Sequence, residues 1–382
     1  MRRRNLHRLS AAGSFVTLAL VIASSPAPAR DADPLEEPIV NVYNWADYIG
    51  PTTIADFEAE TGIRVNYDTY DSSEIVEAKL FAGATGYDVV MHGGQYAERL
   101  IPLGIFRPLD RSRISSWDEL SPEVLEKLAT YDPGNRYAAP YMWGTTGFAY
   151  NVDMVRERLP DAPVDSGAML FDPAVVSELA DCGVSFLDSP TDIIPIALSY
   201  LGLDVNSTDP AHLAATEALL ASVRPYIQYF SSTRMLMDLP NREVCVAMSW
   251  SGDYAVARRR AAEVGLEVDL AYTVPREGSL FWFDGAFILA DAPHPDNALR
   301  FIDFLLRPEV VAAISNEVGY ANAVQSARPF VDPEMREDPA IYPNEAIVAR
   351  LRMALTLPPK IERRRTRVFA RFKAGMEARG NP

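Results

Sequence analysis

The sequence NVYNWADYI at residues 41–49 begins like a β-strand and ends in an indole, a carboxylate and a phenol. Two later stretches, MSWSGD at 248–253 and FWFD at 281–284, place an aspartate two or three residues after a tryptophan in the same way. The face of an indole attracts organic cations, and a carboxylate pairs with them. The repetition predicts that these three stretches meet around a small cationic molecule.

A repeating order of strand and helix patterns surrounds the first stretch. Residues 39–43, 63–67 and 86–91 have the alternating or continuous apolar character of strands. Helical patterns separate them, and each begins after serine or threonine, which cap helices. The order β-α-β-α-β favours a parallel sheet with helices on its faces.

The first stretch lies where such a sheet binds its ligands, which is beyond the carboxyl ends of the strands. Trp45, Asp47 and Tyr48 follow the first strand, and His92 and Gly93 follow the third. We therefore expect both turns to face a ligand site.

The remainder of the chain continues the α/β pattern. Further strand-like runs lie at 183–187, 243–250, 265–274 and 283–290, and helical patterns lie at 151–158, 192–201, 297–305 and 308–318. The run at 265–274 fits either a strand pair or one strand with a loop. Extended crossings near Pro140 and Pro275 join what we predict to be two halves.

Length and composition indicate a globular protein. The 382 residues suffice for two domains with their own cores, and 48% of them are hydrophobic. The formal net charge of −16 argues against binding to nucleic acid and is compatible with a cationic ligand.

Residues 1–29 have the pattern of a secretory signal. A basic segment at 2–4 precedes an apolar run at 11–24, and Ala27-Pro28-Ala29 fits the cleavage site. A membrane anchor is the alternative, although the apolar run is short for a span. Beyond it, no run is long enough to cross a membrane, so we expect a mature protein that is not embedded in one.

The two cysteines, Cys182 and Cys245, allow two interpretations. In an exported protein a single pair suggests one disulfide, here closing a loop of about 60 residues. Two buried free thiols are the alternative. The absence of a CxxC motif argues against a redox motif or a structural zinc site, and we expect no metal and no cofactor.

The C-terminal tail carries a basic run interleaved with apolar residues, from Lys360 to Lys373. We interpret it as the solvated face of a terminal helix. Contact with a membrane surface or with nucleic acid is the alternative in this otherwise acidic protein.

Residues 42–49 resemble the opening of the putrescine- and spermidine-binding proteins of bacterial polyamine ABC importers. The similarity runs almost without gaps from Val40 to about Arg367. It includes PYMW at 140–143, CGVSFLD at 182–188, GYANA at 319–323 and IYP at 341–343. The chain most resembles the putrescine-type branch.

This resemblance implies an α/β fold of the type II periplasmic binding proteins. Each of two lobes would hold a mainly parallel sheet flanked by helices, with a hinge between the lobes. After a signal peptide at 1–29, the first lobe would comprise 38–139 with about 282–330. The second lobe would comprise 140–281 with about 331–382.

The resemblance also implies a function. The protein would be a monomer in the periplasm that captures a polyamine, putrescine first and spermidine or a related amine next, in the cleft between the lobes. It would deliver that ligand to an inner-membrane ABC permease.

The same resemblance assigns the site residues. The aromatic walls would be Trp45, Tyr48, Trp250, Trp282 and Tyr320, the carboxylates Asp47, Asp192, Asp253 and Asp284, and a further polar position Ser232. The family disulfide would join Cys182 and Cys245. Taken singly, a tryptophan after a strand is more often core, and an aspartate there is more often a turn or cap residue.

Three positions depart from the putrescine-type pattern. Ala46 and Gly93 stand where that branch has serine, and Asp192 stands where it has glutamate. The changes would enlarge the pocket, so the choice of polyamine stays open at this point.

Two other functions fit parts of the pattern. A polyamine sensor for a membrane receptor would need the same pocket. Several carboxylates in a cleft could also hydrolyse a glycoside. However, the sequence has no nucleophile elbow, HExxH or phosphate loop, and its four histidines are scattered, with only His92 in the cleft loop. We therefore expect a binding protein and no enzyme.

Overall fold

The computed structural model of the protein describes residues 36–375. The predicted signal peptide at 1–29 lies outside the described residues. No helix within 36–375 combines the length and the apolar character needed to cross a bilayer.

The described chain contains eleven strands and sixteen α-helices. The strands are β1 (Ile39–Trp45), β2 (Arg64–Tyr70), β3 (Val89–Gly93), β4 (Ala138–Asn151), β5 (Val184–Phe186), β6 (Tyr229–Phe230), β7 (Val246–Trp250), β8 (Leu270–Thr273), β9 (Ser279–Ile288), β10 (Ala321–Asn322) and β11 (Leu351–Met353). The helices of the first part are α1 (Thr53–Thr61), α2 (Ser73–Ala82), α3 (Gly94–Leu100), α4 (Pro122–Leu128), α5 (Val152–Arg158), α6 (Ala168–Phe171), α7 (Pro173–Glu178) and α8 (Pro190–Tyr200). The later helices are α9 (Pro210–Val223), α10 (Met235–Asp238), α11 (Ser251–Glu263), α12 (Pro295–Leu305), α13 (Pro308–Val318), α14 (Pro333–Arg336), α15 (Glu345–Val348) and α16 (Pro359–Ala374).

The predicted β-α-β-α-β unit forms the first part of the fold. Strand β1 pairs in parallel with β2 and with β3, so that Val42 lies opposite both Tyr67 and Val89. Helix α2 begins as predicted, because the Ser72 hydroxyl accepts a hydrogen bond from the backbone N–H of Ile75. Thr52 precedes α1 without such a side-chain bond.

Two long strands join the two halves of the sheet and make it mixed. Strand β9 runs antiparallel to both β3 and β4, and β4 runs antiparallel to β7. Beyond β4, the strands β7, β5 and β6 pair in parallel. The α/β architecture with flanking helices is confirmed. The antiparallel pairs arise because β4 leads the chain from one half into the other, and β9 leads it back.

Several predicted boundaries need correction. The run at 265–274 contributes a loop and one strand, β8, which is one of the two predicted alternatives, and β8 adds to the edge of β4. The run at 243–250 becomes extended only from Val246, where pairing with β4 begins. Pro140 lies inside β4 at a register shift, which fits a residue that cannot donate a backbone hydrogen bond.

The disulfide and the terminal helix stabilise the second half. Cys182 and Cys245 are joined, with a Cα–Cα distance of 5.4 Å, which confirms the predicted pair. Helix α16 buries Phe369 and Phe372 against this half, with Phe372 edge-on to Phe186 at 5.5 Å. The outward residues Arg363 and Arg367 are exposed, as expected for a solvated helix face.

Candidate functional site

Strand ends from both halves of the sheet converge on one region. Trp45 ends β1, Gly93 ends β3 and Trp250 ends β7. Gly93 lies opposite Asp284 in the sheet register. We call β4 and β9, which join the two halves of the sheet, the crossing strands. In the same way, β4 aligns Thr146 with Trp250 and Gly144 with Trp282. The predicted Trp–Asp stretches are therefore brought together by β4 and β9.

The turn after β1 delivers a phenol to a buried carboxylate. The hydroxyl of Tyr48 donates to Oδ2 of Asp284 at 2.9 Å, and both side chains are buried. The Asn44 amide and the Tyr141 hydroxyl both donate to the Tyr48 carbonyl, at 3.0 and 2.8 Å. This network fixes the turn, so the phenol is held toward Asp284.

Asp47 occupies the left-handed position of that turn, with φ at 53°. Its side chain is exposed and forms no hydrogen bond with the described residues. The structure therefore does not join Asp47 to the three other carboxylates.

A second tyrosine–aspartate pair forms the opposite part of the site. The hydroxyl of Tyr320 donates to Oδ1 of Asp253 at 2.8 Å. Its ring lies 5.0 Å from Trp282 and 5.8 Å from Tyr48, edge-on in both cases. A Cβ at Gly252 would come within 2.4 Å of this ring, so glycine is needed for its approach.

Asp192 is the most fully bonded carboxylate of the site. Thr146 donates to Oδ1 at 2.7 Å, and the indole N–H of Trp250 reaches the same oxygen at 3.3 Å. Ser189 donates to Oδ2 at 2.5 Å. Both oxygens are thus engaged within the protein, and the carboxylate holds the Trp250 wall in place.

Burial disfavours the ionised form of all three carboxylates, Asp192, Asp253 and Asp284. It raises the pKa of Asp284 to about 7 and that of Asp253 to about 6, and it raises the pKa of Asp192 as well. The hydrogen bonds that they accept oppose the rise in each case. No lysine or arginine within 36–375 forms an ion pair with any of them. Arg260 is near enough for its charge to lower the pKa of Asp253, but it forms no ion pair with that carboxylate. The three carboxylates therefore lack an ion-pair partner within 36–375.

Two tyrosines show that the carboxylates share one electrostatic environment. Beyond the effect of burial, the charges of Asp253 and Asp284 both raise the pKa of Tyr320. Likewise, the charges of Asp192 and Asp253 both raise the pKa of Tyr272. Tyr320 therefore lies close to Asp253 and Asp284, and Tyr272 lies close to Asp192 and Asp253.

The indoles supply the walls. Trp45 packs on Tyr70 with ring centroids 4.4 Å apart. A Cβ at Gly144 would come within 2.6 Å of Trp282, so a glycine in β4 makes room for that wall. The indole N–H groups of Trp45 and Trp282 are buried without a hydrogen-bond partner among the described residues, although Trp45 lies near enough to Asp284 to lower its pKa.

The remaining predicted positions lie at the margins. Ser232 accepts a hydrogen bond from the backbone N–H of Asp188 at 3.2 Å, so it supports the loop that leads into α8. Ala46 is exposed. A Cβ at Gly93 would lie 3.0 Å from the ring of Tyr96, so a serine there would require that ring to shift slightly.

His92 is buried and stacks on Tyr96 with ring centroids 5.2 Å apart. Burial lowers its pKa to about 3, so the imidazole is neutral near pH 7. Neither ring nitrogen has a hydrogen-bond partner among the described residues. No carboxylate orients His92, which leaves it without the partner that a general base usually has.

Two site residues have roles that depend on strand register and were not predicted from the sequence. Thr146 reaches Asp192 because it lies opposite Trp250, and Tyr272 enters the site from the edge strand β8. No local pattern marks either residue. Within 36–375, no group of three or more histidine, cysteine or acidic side chains is arranged to hold a metal ion.

Comparison with known proteins gives a consistent result. The family model for bacterial extracellular solute-binding proteins matches residues 52–343. The putrescine/agmatine-binding protein of Pseudomonas aeruginosa is 46% identical over 356 residues, which are 93% of this chain and 97% of that protein. The putrescine-binding periplasmic protein PotF of Escherichia coli is also 46% identical, over 89% of this chain and 92% of its own.

A solved structure shows the same architecture. The spermidine/putrescine ABC transporter substrate-binding protein PotD from Streptococcus pneumoniae superimposes with a TM-score of 0.74. The match covers 88% of this chain and 99% of that one, at 28% identity. The similarity thus extends over nearly the whole described fold.

Proposed function

Because this chain belongs to the family of bacterial extracellular solute-binding proteins, we propose that it captures a polyamine of the putrescine type and delivers it to an ABC permease. The 46% identical relatives are binding proteins of this kind by name. The protein is accordingly a periplasmic binding protein and no enzyme, and neither a hydrolase nor a sensor is favoured.

The choice of ligand rests on the three buried carboxylates of the site. Asp192, Asp253 and Asp284 lie around Tyr272 and Tyr320, and none of them forms an ion pair with a lysine or arginine within 36–375, although the charge of Arg260 lowers the pKa of Asp253. Burying carboxylates without cations costs several kcal/mol unless a ligand supplies the positive charge. A diamine supplies two ammonium groups on an apolar chain.

The hydrogen bonds assign different roles to the three carboxylates. Asp253 and Asp284 each accept one tyrosine hydroxyl, which leaves the second oxygen of each for a ligand, although the Trp45 indole N–H also lies close to Asp284. These two oxygens would take the two ammonium groups. Asp192, with both oxygens engaged, would position Trp250 and add negative potential.

The aromatic walls suit the methylene chain between the ammonium groups. Trp45, Trp250, Trp282 and Tyr320 would shield the methylenes from water. Each ring face would add a cation–π attraction of roughly 0.5–2 kcal/mol to a nearby ammonium. Tyr48 and Tyr320 would keep their hydroxyls on the carboxylates while the ligand is bound.

The same proposal assigns the residues of the chain to two lobes. We assign 38–139 with about 282–330 to the first lobe and 140–281 with about 331–382 to the second. The crossing strands β4 and β9 would then carry the hinge, and a monomer would be the unit that meets the permease. Asp47 and Ser232 would act at the margin of the ligand site.

Calorimetric titration of ligand-stripped mature protein tests this function. We expect one-to-one binding of putrescine and, because Ala46, Gly93 and Asp192 leave more room, measurable binding of agmatine or cadaverine. Spermidine and spermine complete the series. Folded protein that gives no heat with any of these amines would refute the proposal.

A further inference from the structure

A cavity of about 500 Å³ lies against the crossing strands, and none of the residues assigned to the polyamine site lines it. We call it the back cavity. Trp143 of β4 and Phe281 of β9 line it, together with residues of α4 and of the segments 322–328 and 342–348. Trp282 and Asp284 alternate with Phe281 along β9 and therefore point to the other face of the sheet.

Three aromatic rings form one wall of the back cavity. Trp143 stacks on Phe281 with centroids 5.3 Å apart, and Tyr342 stands edge-on to Trp143 at 6.2 Å. The indole N–H of Trp143 donates to the Asn322 carbonyl, which fixes the ring. The wall is therefore aromatic, and a hydrogen bond holds its indole in place.

Two cations lie over this aromatic wall. The Lys127 ammonium lies 5.3 Å from the centroid of Phe281, and the Arg328 guanidinium lies 4.2 Å from that of Tyr342. Neither forms an ion pair with a carboxylate of residues 36–375, although Glu123 also lines the cavity. Among the described residues, Arg328 donates only to the carbonyl of Arg336.

We propose that the back cavity binds a small aromatic carboxylate. Its ring would pack against Trp143, Phe281 and Tyr342, and its anionic group would pair with Lys127 and Arg328. The aromatic walls favour the ring, and two cations that form no ion pair within residues 36–375 favour the negative charge. This ligand class is opposite in charge to the amine of the main site, so the two sites do not compete.

The two sites share strands, and this couples them. Phe281 and Trp282 are neighbours in β9, and Trp143 and Gly144 are neighbours in β4, with the second residue of each pair at the polyamine site. A ligand that packs against Trp143 and Phe281 would favour one arrangement of the crossing strands. It would thereby change the affinity for the amine, and the amine would change the affinity for the carboxylate by the same factor.

Benzoate is the probe for the test, titrated into the full mature protein and followed by NMR. We expect saturable binding with a Kd on the order of 1 mM, as fits a ligand of this size. Lys127→Met and Arg328→Met should each weaken it at least about fivefold. Glu123→Gln should strengthen it, because a negative charge leaves the cavity. Lys79→Met is the matched control, since Lys79 also lies over a tyrosine ring but outside the cavity, and it should leave benzoate binding unchanged.

Three results would contradict the proposed anion site. No saturable binding of benzoate by folded protein, equal binding of the uncharged analogue benzamide, or full binding by both cavity variants would overturn the anion site. Calorimetry with putrescine, with and without saturating benzoate, tests the coupling. A change in the putrescine Kd of at least about twofold supports it, and an identical Kd refutes it. Because benzoate binding needs no amine, its outcome is independent of whether the main site binds putrescine.

Discussion

The hydroxyl of Tyr48 donates a 2.9 Å hydrogen bond to Oδ2 of Asp284, although 236 positions separate the two residues in the chain. The bond joins the turn after β1 to the crossing strand β9. It also lowers the pKa of a carboxyl that burial raises. Tyr48 therefore both holds the wall of the site and keeps Asp284 closer to its ionised form.

Replacing Tyr48 by phenylalanine should weaken putrescine binding at pH 7 by about tenfold, roughly the value of one hydrogen bond to a charged group. Part of the loss arises because the pKa of Asp284 rises further, so the loss should be smaller at pH 9. Calorimetry at both pH values measures it. Tyr226→Phe, a tyrosine outside the site, should bind like the wild type, and a Tyr48→Phe protein that does so too would contradict this role.

Amine binding should release protons between pH 6 and 7. In the free protein the pKa is about 7 for Asp284 and about 6 for Asp253. A bound ammonium favours the ionised carboxylate, so binding lowers both pKa values, and the affinity falls as the pH falls below about 7. Calorimetry at pH 6.5 in buffers of different ionisation enthalpy counts the protons. Heats that do not depend on the buffer would exclude this linkage.

The stability of the ligand-free protein should fall as the pH rises, whereas the affinity for the amine should rise. The folded pKa of Asp284 lies above its unfolded value near 3.8, so its contribution is fully present below pH 4 and is lost as the pH rises through about 7. Relative to Asp284→Asn, the wild type should therefore lose about 1–3 kcal/mol of unfolding free energy between pH 5 and pH 8. Urea denaturation of both proteins measures this difference, and parallel pH profiles would show that Asp284 is not perturbed in this way.

The extent of sequence-based prediction differs between the fold and the site. The first β-α-β-α-β unit follows local periodicity, and the structure confirms it. Of the three Trp–Asp stretches, the two later ones place Asp253 and Asp284 beside tyrosines, whereas Asp47 of the first is exposed. The engagement of Asp192 by Thr146 and Trp250 was not predictable, because it depends on the pairing of β4 with β7. The antiparallel course of β9 is also a long-range property. Local patterns encode which face of a strand is apolar, but they do not encode which distant strand pairs with it.

The departures at Ala46 and Gly93 lead to a prediction about selectivity. Adding serine at both positions should fill part of the pocket, since a Cβ at Gly93 already approaches the ring of Tyr96. The ratio of putrescine affinity to spermidine affinity should then increase, by roughly threefold or more. Competition titrations measure the ratio directly. An unchanged ratio in a variant that still binds putrescine would show that these hydroxyl positions do not shape selectivity.

Titration of putrescine into the wild type and into Asp192→Asn, Asp253→Asn and Asp284→Asn tests the central claim most directly. If Asp253 and Asp284 hold the two ammonium groups, each of their variants should lose about 2–4 kcal/mol of binding free energy, or roughly 30-fold to 1000-fold in Kd. Asp192→Asn should lose less than about tenfold, because Asp192 acts through Trp250. The account would be contradicted if the Asp253 and Asp284 variants bound putrescine within about threefold of the wild type, or if Asp192→Asn showed the largest loss.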